Sequence, residues 1–368
     1  MTSVGDTPSP LIWLLLGDKL GDNAQAEIIA ERLGWPIETR RLFFSEPYIY
    51  GKPRFKPSLY HVDPARSDRL EAPWPDYILT IGRRPSMAAL WVQDQSGGRT
   101  KLILIGRPKR WLDRFSLIIA PAQYRLPNRD NVLHLDLPLM RGNQAAIAAA
   151  GETWQDRLAD LPRPLTALLV GGQTKPFLFD GPVAKDLAER TLAQTHGGSL
   201  YVTTSRRTPA AVTDTLEQVM AGQARFFRWA PDAPDNPYLA LLALADRFIV
   251  TGDSISMMIE VARLAKPLAI FDLPRQGGVV ERWRGAIERQ LHPATTDHGG
   301  GSLQAIGNLL YRLGLARYSR DLTEIHRVLY RRGSAVPLGQ PFPRPTASPT
   351  DEVDRVVERI RQIAAVRP

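Results

Sequence analysis

Short apolar runs alternate with helix-period stretches along most of the chain. Residues 11–16 are six consecutive apolar positions, the pattern of a strand buried on both faces of a parallel sheet. Ala24, Ile28 and Ile29 then share one helical face and predict a helix over about 23–33. Further strands are predicted at 77–81, 101–105, 117–120 and 132–135, each bounded by Gly, Pro or polar turns. A stretch over 141–164, ending in Leu161-Pro162-Arg163-Pro164, reads as a connection, after which a second series begins. Its strands are predicted at 165–170, 199–203, 225–229, 247–250 and 267–271, with a Pro-opened helix at 182–194. Ile255, Met258, Ile259 and Ala262 follow i, i+3, i+4, i+7 spacing and predict a helix over 254–264.

Strands alternating with helices specify an α/β fold with parallel sheets covered on both faces. Three segments are expected: a first domain over 1–150, a second over 151–332, and a Pro- and Ser-rich linker with a C-terminal amphipathic helix over 333–368. In that helix Val353, Val356, Val357, Ile360 and Ile363 share one face, which has to pack on something. At 368 residues the length itself favours two domains.

Composition narrows the chemistry. With 43% hydrophobic and 23% charged residues the chain is an ordinary globular one. It has no cysteine, which removes disulfides, thiolate nucleophiles and thiolate metal sites and fits a reducing compartment. Six histidines are present and none forms an HxxxH pair, so no metal is expected. The apolar run at 11–16 lacks the basic flank of a secretion signal and the ~20 residues of a membrane span, and a cytoplasmic location is expected. The net charge of +9 is concentrated at 40–141, where 18 Lys and Arg face 9 Asp and Glu.

The sharpest constellation is the strand-to-helix turn Val250-Thr251-Gly252-Asp253-Ser254, continuing through Ser256 and Met257 to Glu260. Such a turn points unpaired N–H groups and the positive helix end outward, where an anionic phosphate fits. Two other predicted strand ends in the same domain are polar. Ser205 and the pair Arg206-Arg207 follow one of them, and Gly171, Gly172 and Lys175 follow the other. Guanidinium groups fork onto phosphate oxygens, and ligands of open α/β sheets bind at strand carboxyl ends. Plainer readings stand beside these: Asp253 or Ser254 as a helix cap, the arginines as solvated loop residues, Glu260 as a surface carboxylate.

Ser205-Arg206-Arg207-Thr208-Pro209, Asn236-Pro237-Tyr238, Leu244-Ala245-Asp246, and the run from Thr251 to Met257 with Glu260 together resemble the mitochondrial-fission ELM family, over roughly residues 10–330. Its bacterial members are regarded as candidate glycosyltransferases. The resemblance implies a GT-B-like fold: two facing Rossmann-like domains with an interdomain cleft, the acceptor on the first and a nucleotide-sugar on the second. Position by position it implies Ser254 and Ser256 at the diphosphate, Arg206 at its charge and Glu260 at the ribose. No Asp-x-Asp pair occurs, the motif with which metal-dependent sugar transferases of the other common fold hold their ion. Charge on the leaving diphosphate would then fall to Arg206, Lys175 and the helix end after Ser254.

In the first domain the turn from Leu16 to Gln25 is Gly-rich but is not a GxGxxG fingerprint. Asp18, Gly21 and Gln25 are the positions that match the family. Asp18, then Asp22, is the candidate general base for an acceptor hydroxyl; equally, Asp22 or Asn23 caps the helix and Asp18 shapes the turn. The chain departs from the family with Arg107-Pro108 where a His-Pro pair is usual, and with Pro121-Ala122-Gln123-Tyr124 where the turn is acidic or His-bearing. Residues 43–60 interleave Phe43, Phe44, Tyr48, Tyr50, Phe55 and Tyr60 with Lys52, Arg54 and Lys56. They suit either peripheral contact with an anionic membrane at its inner face or a loop of packed aromatics. No nucleic-acid-binding signature accompanies them. The expectation is a metal-independent glycosyltransferase using a nucleotide-sugar donor and a cell-envelope glycan or lipid-linked acceptor, with no cofactor. A nucleotide-sugar epimerase and a non-catalytic membrane-associated scaffold are the alternatives.

Overall fold

The structure is a computed structural model that describes residues 10–49, 51, 53–140, 142–231, 233, 235–276, 320–344 and 352–365. Tyr50 and Lys52, which figured in the expectations above, lie outside the described residues. The chain forms two compact units, and each is built around one parallel six-stranded sheet.

The first unit contains β1 (Ile12–Leu16), α1 (Leu20–Leu33), β2 (Ile37–Arg41), α2 (Glu46–Ile49), β3 (Tyr77–Ile81), α3 (Arg83–Gln95), β4 (Lys101–Ile105), β5 (Leu117–Pro121) and β6 (Val132–Leu135). The strand order is β2-β1-β3-β4-β5-β6. Ile12 pairs with Ile37 on one side and Tyr77 on the other. All five β1 residues are buried because alternate side chains feed two cores. Ile12, Leu14 and Leu16 meet Ala26, Ile29 and Leu33 of α1, whereas Trp13 and Leu15 join Met87 and Leu90 of α3. The C-terminal helix (Val353–Ala365) completes the first of these cores with Val353, Val356, Val357 and Ile360, which accounts for its amphipathic spacing. Glu352, just before it, accepts backbone N–H bonds from Asp136 and Leu137 at 2.9 and 3.4 Å.

The second unit opens with α4 (Gln144–Trp154) and continues with β7 (Leu165–Leu169), α5 (Gly181–Gln194), β8 (Ser199–Thr203), α6 (Ala210–Val219), β9 (Arg225–Phe227), α7 (Tyr238–Leu244), β10 (Arg247–Thr251), α8 (Ile255–Arg263), β11 (Leu268–Phe271), α9 (Thr323–Arg331) and β12 (Val336–Pro337). Its strand order is β12-β11-β10-β7-β8-β9. Asp180 caps α5 by accepting the Val183 N–H at 3.1 Å, ahead of Pro182 in the first turn.

Both sheets are doubly wound and parallel, the pair of Rossmann-like units that the sequence implied. Each also has one point where strand order reverses, between β1 and β3 in the first unit and between β7 and β10 in the second. Open α/β sheets bind ligands outside the strand ends at such points.

Candidate functional site

In the second unit the turns leaving β7, β8 and β10 are tied together by buried hydrogen bonds. The Gly171 N–H donates to the Thr251 hydroxyl at 2.8 Å, and that hydroxyl donates to Asp253 Oδ1 at 2.8 Å. Asp253 Oδ2 accepts the Gly172 N–H at 2.8 Å. From the β8 side, the Thr208 hydroxyl reaches the Gly171 carbonyl at 2.5 Å, and the Arg207 guanidinium donates to the Thr174 hydroxyl at 3.2 Å. Glycine at 171 and 172 is what allows this approach. A Cβ on Gly171 would stand 2.5 Å from Asp253 Oδ1, and one on Gly172 would stand 2.5 Å from the Arg207 carbonyl oxygen.

Asp253 is therefore turned inward and holds the switch point together. Burial raises its carboxyl above the usual carboxylate range, and the Gly172 N–H, the Thr251 hydroxyl and the Arg207 charge pull it back. Ser254 is the N-cap residue of α8, buried, with no side-chain bond to the helix N–H groups. Ser256 and Met257 lie half-buried in the first turn of α8. Ser205 closes its own turn on Thr208, with the hydroxyl oxygens 3.1 Å apart. Arg206 and Lys175 are exposed, and neither has a hydrogen bond or ion pair among the described residues. The tie thus leaves two cations on its rim uncommitted.

Glu260, on α8, accepts a 2.5 Å hydrogen bond from the Tyr238 hydroxyl at the start of α7. Burial raises the Glu260 carboxyl, opposed by this bond, and burial together with the neighbouring carboxylate holds Tyr238 well above an ordinary phenol. The pair links two segments of the motif set that the sequence offered only side by side.

His326 is a residue of this site that sequence reasoning missed. It comes from α9 and is buried beneath the β10 turn, with Nε2 2.7 Å from the Gly252 carbonyl and Nδ1 2.7 Å from Asp272 Oδ1. A carbonyl oxygen only accepts, so Nε2 carries a hydrogen. A Cβ on Gly252 would lie 2.5 Å from His326 Cε1, so that glycine is the seat of the ring. The only sequence signal was the small residue opening the turn.

In the first unit Asp18 and Asp22 both border a cavity outside the ends of β1, β3 and β4. Asp18 accepts two bonds from Arg84 Nη2, at 3.0 and 3.1 Å. Asp22, in the first turn of α1, has no side-chain bond among the described residues. Neither aspartate caps the helix. Lys19 is the N-cap residue, and Asn23 instead braces the turn by bonding the Gly17 carbonyl at 2.8 Å and its N–H at 3.3 Å. Gln25 also borders the cavity, and Gly21 is exposed on α1. Of the described aromatics in 43–60, Phe44 and Phe55 are buried, Arg84 stacks over Phe44, Arg83 over Phe55, and Lys56 over Tyr60. Among the described residues no helix is long and apolar enough to cross a membrane.

Fold and site together define a doubly wound α/β protein whose second unit gathers three hydrogen-bonded strand-end turns at its switch point. Residues 21–295 match the family described as Mitochondrial fission ELM1, and the chain belongs to that family. It is 26% identical over 219 residues to Mitochondrial fission protein ELM1 of Arabidopsis thaliana, covering 53% of this chain and 51% of the plant protein. The match thus spans about half the length of that relative. It is also 26% identical over 300 residues to the uncharacterized protein RP120 of Rickettsia prowazekii (strain Madrid E), covering 72% of this chain and 83% of the other. Among solved structures it is similar to a glycosyltransferase from Rickettsia africae, at 13% identity and a TM-score of 0.48 over 98% of this chain and 100% of that one. It is similar, too, to the UDP-GlcNAc 2-epimerase of Methanocaldococcus jannaschii, at 11% identity and a TM-score of 0.47 over 96% and 99% of the two chains.

Proposed function

We propose that the protein is a metal-independent glycosyltransferase whose second unit binds a nucleotide-sugar donor and whose first unit takes a cell-envelope glycan or lipid-linked acceptor. The observation that carries the donor half is the tied switch point with Arg206 and Lys175 exposed and unpaired on its rim. The diphosphate would lie against the N–H groups at the start of α8, beside Ser254 and Ser256. One helix end contributes only ~0.3–2 kcal/mol to an anion. The two cations supply the rest, each charge-assisted bond being worth ~1.5–3 kcal/mol. As the glycosidic bond breaks, the leaving diphosphate gains charge, and Arg206 then acts more strongly on the transition state than on the bound donor. Glu260, already oriented by Tyr238, has a second carboxylate oxygen for the ribose hydroxyls.

For the general base, the geometry favours Asp22 over Asp18. Both carboxylate oxygens of Asp18 already accept bonds from the Arg84 guanidinium, so an acceptor hydroxyl would have to compete for them. Asp22 borders the same cavity without such a partner among the described residues. The test is calorimetry with nucleoside diphosphates and their sugar esters, followed by donor turnover with and without acceptor. Binding of a nucleoside diphosphate that weakens in Arg206→Ala supports the reading. Absence of binding near millimolar concentration in the folded protein would refute it, and turnover of the sugar ester without any acceptor would point to epimerisation instead.

A further inference from the structure

The cavity of the first unit has a volume of about 620 Å³ and opens where β1, β3 and β4 end. Six cationic side chains line it, namely Lys19, Arg83, Arg84, Arg107, Lys109 and Arg320, against the two carboxylates of Asp18 and Asp22. Among the described lining residues cations thus outnumber carboxylates six to two, and Asp18 is bonded to Arg84. These cations arise from four separate places along the chain, so no single helix face or charge run explains their convergence.

Two helices begin at this rim. Lys19 precedes α1 and Gly82 precedes α3, and neither helix start has a side-chain cap. Their outer N–H groups therefore face the side on which the cations gather. Gly82 and Gly106, which follow β3 and β4, have φ of 90° and 105°, a left-handed backbone that brings main chain rather than side chain to the wall. A further observation is independent of charge. Gln123 is 5% exposed and lines the cavity, yet its amide oxygen is buried without a hydrogen-bond partner. A buried amide left unmatched costs ~1–3 kcal/mol, and a ligand hydroxyl or phosphate ester would answer it whichever way the amide is turned.

We propose that this cavity is a phosphoryl-binding site, taking a phosphomonoester or diphosphate ester. A lone carboxylate would be satisfied by one forked arginine, whereas cations arriving from several directions suit an anion with oxygens on every side. The volume admits a phosphoryl group together with an attached sugar or lipid head. That this phosphoryl group belongs to the acceptor rests on the transferase reading above; the preference of the cavity for a phosphoryl anion does not.

The test is calorimetric titration of the full chain with inorganic pyrophosphate, in an Arg206→Ala background that weakens anion binding in the second unit. Binding should persist there and fall at least tenfold when Lys19→Gln and Lys109→Gln are added, and also in Gln123→Leu, with melting curves confirming that each variant is folded. Lys19 is exposed and Lys109 half-buried, so neither change empties a core. A second arm measures flotation with phosphatidylcholine vesicles with or without phosphatidic acid. Flotation that needs phosphatidic acid and is displaced by pyrophosphate assigns the phosphoryl group to a lipid, and pyrophosphate binding without flotation assigns it to a soluble ligand. Pyrophosphate affinity unchanged by the lysine substitutions, or abolished by Arg206→Ala alone, would overturn the proposal whatever nucleotides do.

Discussion

His326→Ala separates a residue that holds the turn after β10 from one that merely fills space. Removing the ring strands the buried Gly252 carbonyl, which its Nε2 reaches at 2.7 Å. An unmatched buried acceptor costs ~1–3 kcal/mol. The second bond goes to Asp272, whose side chain is 55% exposed, so it adds no more than ~1 kcal/mol. Lost packing against Gly252 and Tyr330 contributes roughly 1 kcal/mol more. The total is about 3 kcal/mol. For a unit of this size that lowers the melting temperature by roughly 6–12 °C. Because Gly252 sits between Thr251 and Asp253, the same change should loosen the tie and weaken nucleoside diphosphate binding about tenfold. The assay is thermal unfolding and calorimetry of His326→Ala beside Asp272→Asn, which keeps the ring and its carbonyl bond and should cost less than about 1 kcal/mol. A His326→Ala melting temperature within 2 °C of wild type, or equal losses in the two variants, would refute the assignment of the energy to the Gly252 bond.

Three further outcomes follow from the same geometry. Glu260→Gln removes a charge whose burial is unfavourable while keeping an acceptor for Tyr238, so the ligand-free protein should melt no lower than wild type, yet nucleotide affinity should fall about tenfold or more, checked by calorimetry. Gly172→Ala places a Cβ 2.5 Å from the Arg207 carbonyl oxygen and should cost about 1–3 kcal/mol in denaturant unfolding, with loss of nucleotide binding. Lys266 is pushed down by burial to about 8 from 10.5, so between those pH values the unfolded chain binds more protons and stability should rise with pH. Urea midpoints measured from pH 7.5 to 9.5 should show this slope in wild type and its reduction in Lys266→Met.

Strands that are apolar or nearly so, such as β1 and β3, were legible because burial on both faces of a parallel sheet admits a polar residue only where it is bonded, as Thr80 is to the Leu15 carbonyl. The edge strand β2, Ile37-Glu38-Thr39-Arg40-Arg41, has a partly exposed face and no apolar run, and it gave no signal. Helix α3 was hidden by its opening Arg83-Arg84-Pro85, whose proline suits a first turn but reads as a breaker. In the site, Gly171, Gly172 and the turn after β10 were legible as strand-end turns. That Asp253 points inward was not, since an aspartate before a helix looks the same whether it caps, binds or braces. The Tyr238 and Glu260 partners were both visible as motif residues, but a separation of 22 positions along the chain conceals their bond. His326 lies 74 positions from Gly252 and had no motif around it.

The inward turn of Asp253 also resolves an apparent conflict in placing an acid within the proposed anion site. A carboxylate facing a diphosphate would repel it, and at short range that repulsion would rival the gain from one helix end. Here both carboxylate oxygens are spent on Gly172 and Thr251, and Arg207 stands close enough to offset the charge. What the rim presents outward is instead backbone N–H, the Arg206 guanidinium and the Lys175 ammonium. Replacing Asp253 by Asn would relieve the buried charge yet leave one of two buried donors facing an amide NH2, because Gly172 N–H and the Thr251 hydroxyl need both acceptor oxygens. The acid is therefore kept for its two lone-pair directions, and on the proposed reading the affinity for an anion falls to the cations that the tie leaves free.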